Sequence, residues 1–425
     1  MLVKLDLINR LNFLALLFFP VLLILGKDFV NIGVIYFTLS CIILIYYKKI
    51  NLFSKTENIL FGVFFSYILI NSLFNYNNFE NVLKSIALFR FIFFSTVIVY
   101  ILNNLSSGNK ITLKYIYSSV IFFVFLDIIY QYIFGIDLFG YEPGMCENGS
   151  CLRYQGVFGK ELIAGSFFAY FALVAILFLF QGNILNLLFL ILGVSIIITG
   201  DRSPFIAYII FWFFYILISN QSYKKKLLWF LSSLIIFFTI ISFFSSSQKR
   251  YIGFAKDIKY SGNENSRSIK DSNNFFNDIK DSPWGKHYQV AWAMFLDKPF
   301  AGHGYNSFQI LCAKYEKITN TNTGSFKGCS RHPHNAFLEI LSEQGLFGLI
   351  ILNIIIFYIL KKILTLKFIN KDFRNNFFLT GALFLCFYFP LKPTGSLFSV
   401  WLGSITFFVY SFYLFFSEKN KSVNL

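Results

Sequence analysis

The sequence predicts an all-α polytopic membrane protein, with about 12 transmembrane helices and one large outer loop domain between spans 9 and 10. Three observations carry this. The 425 residues are 56% hydrophobic and only 14% charged, against about 25% charged in soluble domains. The apolar residues recur in blocks of roughly 15–22, the length that crosses a hydrocarbon core about 30 Å thick. Between the blocks, basic clusters fall on alternate connections, as cytoplasmic loops require. A β-barrel would alternate apolar and polar residues over ~10-residue segments, whereas "FFSYILINSLF" and "FALVAILFLF" are apolar on all sides.

The apolar runs place the spans at about 11–26, 29–47, 59–75, 85–102, 116–135, 161–180, 184–199, 204–219, 227–244, 335–360, 376–390 and 396–416. The first run follows Lys4 and Arg10 and so resembles a signal peptide. No small-x-small cleavage site follows and "GKDFV" leads into the next run, so it is expected to be retained as a span. With the N-terminus inside, the inner segments carry Lys4 and Arg10, then Lys48, Lys49 and Lys55, then Lys110 and Lys114. Later ones carry Lys224, Lys225 and Lys226, then Lys361, Lys362, Lys367, Lys371 and Arg374, and finally Lys419 and Lys421. Only the "QGN" turn at 181–183 is uncharged. One span more or fewer would break this alternation, so an even count with both termini cytoplasmic is expected. The chain then divides into an N-terminal bundle (1–244, with an outer loop at 136–160), a large outer loop (245–333) and a C-terminal bundle (334–425).

Four of the six cysteines lie on the outer side: Cys146 and Cys151 in the first loop, Cys312 and Cys329 in the second. Paired cysteines there read as disulfides of an oxidising compartment. Two per loop favours Cys146–Cys151 and Cys312–Cys329, although spacing alone does not fix connectivity. Residues 260–282 are polar and turn-rich, and expected to be mobile unless a substrate orders them. "WGKHYQVAWAMFLDKP" then reads as a short amphipathic helix, with Val290, Met294, Trp292 and Phe295 against the membrane surface or the bundle, stopped by Pro299.

All four histidines, His287, His303, His332 and His334, fall in the large outer loop or at its end, an uneven distribution that points to a general base there. In "RHPHN", Pro333 suits the start of a helix, putting His334 or Asn335 in the first turn, where the helix dipole favours a neutral imidazole. At helical spacing His334, Leu338, Leu341 and Gly345 share one face, with Gly345 permitting close helix contact. The competing readings are a capping histidine without chemistry and a zinc site. Zinc would need His303 or Glu339 as further ligands, and no H-x-x-x-H or carboxylate cluster supports it. In "ITGDRSPFIAY", Arg202 stands at the outer turn between two spans, with Pro204 starting a helix that Asp201 or Ser203 can cap. It could merely snorkel, or hold a phosphate through its bidentate donors. Arg153 and Arg331 lie on the same side. The large loop carries thirteen Lys and Arg against seven Asp and Glu, an excess that runs against the positive-inside trend and suggests an anionic partner or headgroup attraction. Inside the membrane, Arg90 and Asp127 are expected to pair or to mark function, as in a proton-coupled transporter.

Together these residues resemble the O-antigen ligase and O-antigen polymerase superfamily of bacterial inner-membrane C-type glycosyltransferases. "HNAFLEILSEQG" fits its H-N-x-x-L-x-x-x-x-x-x-G pattern at His334, Asn335, Leu338 and Gly345; "ITGDRSPFIAY" looks like its arginine turn at Arg202; "KPFAGHGYNSF" resembles the end of its loop helix at Pro299, Gly302, Gly304 and Phe308. "CSRHPHN" is similar to a subgroup with a cysteine before the histidine pair. The likeness covers residues 150–350 well; the first 130 match only as generic spans.

The resemblance implies that a glycan on undecaprenyl pyrophosphate is transferred at the periplasmic face, with inversion. The acceptor is the lipid A core for a ligase or the next lipid-linked repeat unit for a polymerase. It implies catalytic roles for His334 and Arg202, with Arg331, Arg153, His332 and Asn335 binding pyrophosphate or glycan. Membrane lipid is a partner; no cofactor, metal or nucleic acid is expected. The compact first outer loop favours the ligase. A third member type transfers glycan to protein hydroxyls, and a lipid or polysaccharide transporter is the non-enzymatic alternative, in which Arg90 and Asp127 would matter and His334 would not.

Overall fold

The computed structural model describes residues 2–75, 78–147, 150–252, 282–321, 327–367, 370–390, 392–393 and 395–419. Of the polar stretch 260–282, only Ser282 lies among them. The fold is all-α apart from one hairpin. Its helices are α1 (Leu2–Leu25), α2 (Lys27–Tyr46), α3 (Thr56–Phe74), α4 (Phe79–Asn103), α5 (Ser107–Phe134), α6 (Ala164–Leu179) and α7 (Asn183–Thr199). They continue with α8 (Arg202–Ile218), α9 (Tyr223–Phe243), α10 (Pro283–Asp297), α11 (Ser307–Ile318), α12 (Ala336–Thr365), α13 (Lys371–Leu385) and α14 (Val400–Lys419). Eight, α1–α5, α9, α12 and α14, are long and apolar enough to cross a membrane, and α6–α8 are shorter apolar helices. The run expected at 376–390 falls on α13 and the 3₁₀ turn after it.

In lipid, helices associate through close packing and internal polar contacts rather than expulsion of water. The hub is α14. From Trp401 to Ser417 every side chain but Leu402 is buried, whereas α9 buries only Ser233 and Phe237. Phe407 packs on Phe61 and Phe91 at 5.2 and 5.3 Å between ring centroids, and Phe408 on Phe19 and Phe171 at 5.1 and 5.2 Å. Near the C-terminal end of α14, Glu57 of α3 ion-pairs with Lys362 of α12 and accepts a hydrogen bond of 3.1 Å from Tyr413 of α14.

The two intramembrane charges do not pair. Arg90 donates to Asn31 at 2.6 Å, while Asp127 accepts from the Leu138 amide at 2.9 Å and braces the loop after α5. Each has one such partner, while Arg90 Nε and Asp127 Oδ2 are buried without one.

Two constructions fall in the segments expected on the outer side. The first is the hairpin of β1 (Gly144–Glu147) and β2 (Ser150–Arg153), in which Cys146 lies opposite Cys151 and is bonded to it. The Tyr154 amide donates to the Thr199 carbonyl at 3.3 Å and so seats the hairpin on the end of α7. The second is the α10–α11 unit, whose small core contains Val290, Met294, Phe308, Cys312 and Tyr315, with Cys312 bonded to Cys329. Ser282 caps α10 and Pro283 begins it. Val290 and Met294 face this core, while Trp292 lies on the exposed side.

α12 is not one continuous helix. Gly345 has φ 65° and ψ −167°, which breaks it one residue after Gln344. The groups freed by the break are taken up by the preceding loop. The amides of Leu346 and Phe347 donate to the carbonyls of Pro299 and Phe300 at 2.8 and 3.1 Å; the amides of His303 and Gly304 donate to those of Ser342 and Glu343 at 3.2 and 2.8 Å. A Cβ on Gly345 would lie 2.3 Å from the Phe300 oxygen, and one on Gly302 2.5 Å from the Glu343 carbonyl carbon. Gly345 therefore serves a backbone break covered by protein, not the close helix contact expected from its spacing.

Candidate functional site

The site grows from two helix ends. At the start of α8, Asp201 occupies the N-cap position but makes no capping bond. Its carboxylate turns back to ion-pair with Arg153 of β2 and accepts from the Gly165 amide at 2.9 Å. Burial pushes this carboxyl above its ordinary value, and the Arg153 guanidinium pulls against that shift. Arg250 donates to the Gly200 carbonyl at 2.9 Å. Asp201, Arg250, Arg202 and Arg153 all act electrostatically on the partly buried Tyr251. Three guanidinium groups and one carboxylate thus gather around this side chain, which leaves an excess of positive charge where α7 meets α8. Ser203, instead of capping, donates to the Pro393 carbonyl at 2.8 Å.

The second helix end is the start of α12. Asn335 is its N-cap, accepting from the amides of Phe337 and Leu338 at 3.0 Å each. Pro333 and His334 precede the helix, so His334 does not share a helical face with Leu338 and Leu341 as its spacing suggested; it sits at φ 56°. Its ring lies 4.1 Å from that of His332 and 5.2 Å from that of His287 on α10, between centroids. His332 is held neutral, its pKa down to about 3 chiefly through burial, with His334, His287 and Arg331 adding to the effect. His303 stands apart. It is buried, with Nε2 3.0 Å from the Met294 carbonyl oxygen and 3.6 Å from Asp297. Glu339 accepts from Ser396 Oγ and the Leu397 amide at 2.6 and 3.1 Å. Neither residue joins the histidine pair as a ligand. Among the described residues, no group of three or more His, Cys, Asp and Glu side chains is arranged to hold a metal ion.

Two bridges join the helix ends. The Arg202 guanidinium lies over the Trp284 ring at 5.7 Å, and Trp284 and His287 both belong to the start of α10. The loop between α13 and α14 makes the other bridge: Pro393 accepts from Ser203, and Pro390 accepts from Asn335 at 2.6 Å. The same loop buries Lys392, whose ammonium donates to Tyr170 Oη and to the Cys386 carbonyl, the latter at 3.1 Å. Burial lowers the Lys392 pKa to about 8. Tyr170 is presented by a π-helical stretch, Phe167–Ala172, inside α6.

The expected binding residues therefore separate. Arg202, His332 and His334 lie within the bridged cluster. Arg331 is exposed beside it and adds positive charge. Arg153 is engaged by Asp201, and Asn335 by the helix end, by Pro390 and by Tyr288. For these two the geometry supports positioning in place of substrate contact. Arg250, Trp284 and Lys392 were not singled out as site residues in the sequence, and His287 only as one of the four histidines. For Lys392 a signal existed: "FPLKPTG" puts a lysine on a connection expected on the outer side, against the positive-inside trend. An anion held by the guanidiniums beside a neutral imidazole is an arrangement suited to group transfer from a phosphorylated donor to a hydroxyl.

Residues 187–352 match the family described as O-Antigen ligase. The matched stretch begins in α7, contains the Arg202 turn and ends in α12 just beyond the break at Gly345. A Rickettsia conorii protein whose name describes it as a candidate polysaccharide ligase is 27% identical over 106 residues. That aligned stretch spans 25% of this chain and 25% of the relative.

Proposed function

We propose that this member of the O-antigen ligase superfamily is an inverting glycosyltransferase that needs no metal and acts at the periplasmic face of the bacterial inner membrane. It takes a glycan from undecaprenyl pyrophosphate and joins it to a hydroxyl of the lipid A core. The supporting observation is the bridged outer cluster, with guanidiniums on one helix end and paired histidines on the other.

The chemistry follows from charge. As the bond to the anomeric carbon breaks, negative charge grows on the departing pyrophosphate. Arg202 stabilises it more in the transition state than before, with Arg331 and Arg250 adding to the local potential. Lys392 keeps a cation in the loop between Ser203 and Asn335. His334 takes the acceptor proton, and the neutral His332 beside it leaves no like charge to oppose that protonation. Arg153 positions the turn through Asp201, and Asn335 positions His334 by fixing the start of α12.

The test is transfer by purified protein and in a deletion strain. Arg202→Ala and His334→Ala are expected to abolish transfer while protein remains in the membrane, a loss of about 100-fold or more. Wild-type rates for His334→Ala would overturn the base assignment, and rescue by added zinc would overturn metal independence. Loss of all polymer on lipid A, with lipid-linked chains retained, supports the ligase. Single-repeat caps would make the protein a polymerase.

A further inference from the structure

Resting on the reading of His334 as the base, we infer that His287 is a positioning residue that takes the acceptor proton onward from His334. His334 is the middle ring of three, with His332 on one side and His287 on the other. His287 Nδ1 lies 2.8 Å from the carbonyl oxygen of Gly328. A carbonyl only accepts, so Nδ1 carries the hydrogen and Nε2 of the neutral ring is the acceptor. When Nε2 gains a proton, the same carbonyl stabilises the imidazolium that results. His332 cannot take this part: its buried Nε2 has no hydrogen-bond partner, and burial opposes its charging.

The Gly328 carbonyl is well anchored. Its own amide donates to Thr321 O at 3.1 Å, the next amide, of Cys329, donates to Glu316 at 3.0 Å, and Cys329 is tied to α11 through Cys312. The charged and titratable groups around His287 are Lys286 and Tyr288 on its own helix, Arg331, His332 and His334 on the loop before α12, and Glu316 from α11. Arg202 reaches the same helix at Trp284.

In the step, the acceptor O–H bond breaks and its oxygen forms the new bond to the anomeric carbon. The bond from that carbon to pyrophosphate breaks with its electron pair. The proton passes to one ring nitrogen of His334, the other ring nitrogen releases its own to His287 Nε2, and water takes it from there.

The experiment compares wild type, His287→Ala, His287→Gln and His334→Ala in nanodiscs, using undecaprenyl-pyrophosphate-linked glycan and lipid A core as probes between pH 5 and 9. Glutamine keeps a donor for the Gly328 carbonyl but cannot carry a proton. Both His287 variants are expected to lower kcat about 100-fold, the lower end of the range for acid–base groups, with KM little changed. The acid limb of log kcat against pH should fall from a slope near two to a slope near one, and added imidazole should rescue His287→Ala. A wild-type kcat in His287→Gln with His334→Ala inactive would overturn the relay and leave the base. Wild-type rates in His334→Ala would overturn both.

Discussion

Arg202 stands in the first turn of α8 on ordinary helical backbone, whereas His334 is itself a left-handed residue just outside α12. The two ends of the cluster are secured differently. The arginine end is fixed by charge: a buried carboxylate, an ion pair to a disulfide-bonded hairpin and a backbone amide. The histidine end is fixed by backbone: a capped helix start, a break at Gly345 and a loop stitched into that break. Permanently charged groups gathered at a membrane surface need a counter-charge to stay in place. A group that must change charge is better placed by hydrogen bonds that do not alter as it titrates.

This contrast can be broken from either side. The largest effect is expected for Gly345→Ala, which demands φ 65° of a residue with a Cβ and drives that atom towards the Phe300 oxygen. A backbone cost of about 1–3 kcal/mol plus the overlap should reduce folded protein sharply, read as recovery and thermal midpoint in detergent. Asp201→Asn should come next. It leaves the half-buried Arg153 without its counter-charge, at a cost of up to about 3 kcal/mol, and should lower the midpoint while also slowing transfer. Trp284→Ala removes the ring beneath Arg202, an interaction of about 0.5–2 kcal/mol, so kcat/KM should drop about 2- to 30-fold with Phe at that position restoring most of it.

A sharper test concerns Asn335. As a cap, its replacement by Ala should cost about 1 kcal/mol, and Ser should recover that loss without a rise in KM. A KM that stays high in Asn335→Ser would return the residue to substrate binding. The last prediction, confined to acid, is a pH dependence at His332. Its folded pKa lies below the unfolded value, so the unfolded chain binds the extra proton first. Stability is then full above about pH 6.5 and declines as the pH falls towards 3. Thermal midpoints between pH 7.5 and 4.5 should show that decline in wild type and less of it in His332→Asn.

The apolar helices were legible because apolar length is a property of composition, which no tertiary contact needs to supply; twelve spans were expected and, among the described residues, eight helices are long and apolar enough to cross a membrane. Arg202, His332 and His334 drew notice because each stood in an unusual local string, and the fold brings them into one cluster. The error at Gly345 has a physical source: in a string, a glycine inside an apolar run looks the same whether it admits a neighbouring helix or turns the backbone left-handed. Arg250, Trp284 and Lys392 join the cluster through contacts across 50, 82 and 222 residues of chain, and no local pattern reports such a distance. Asn335 was legible as part of a motif, but its engagement by the helix end was not.

The covered break in α12 also bears on biogenesis. Pro299–Gly304 leaves the ribosome before Gly345 does, and it supplies the partners of the groups freed there. Bare amides and carbonyls cannot rest in hydrocarbon, so the break settles only against a loop already folded. Folding of the loop thus precedes final seating of α12, and a graft of either piece from a relative must carry the other with it.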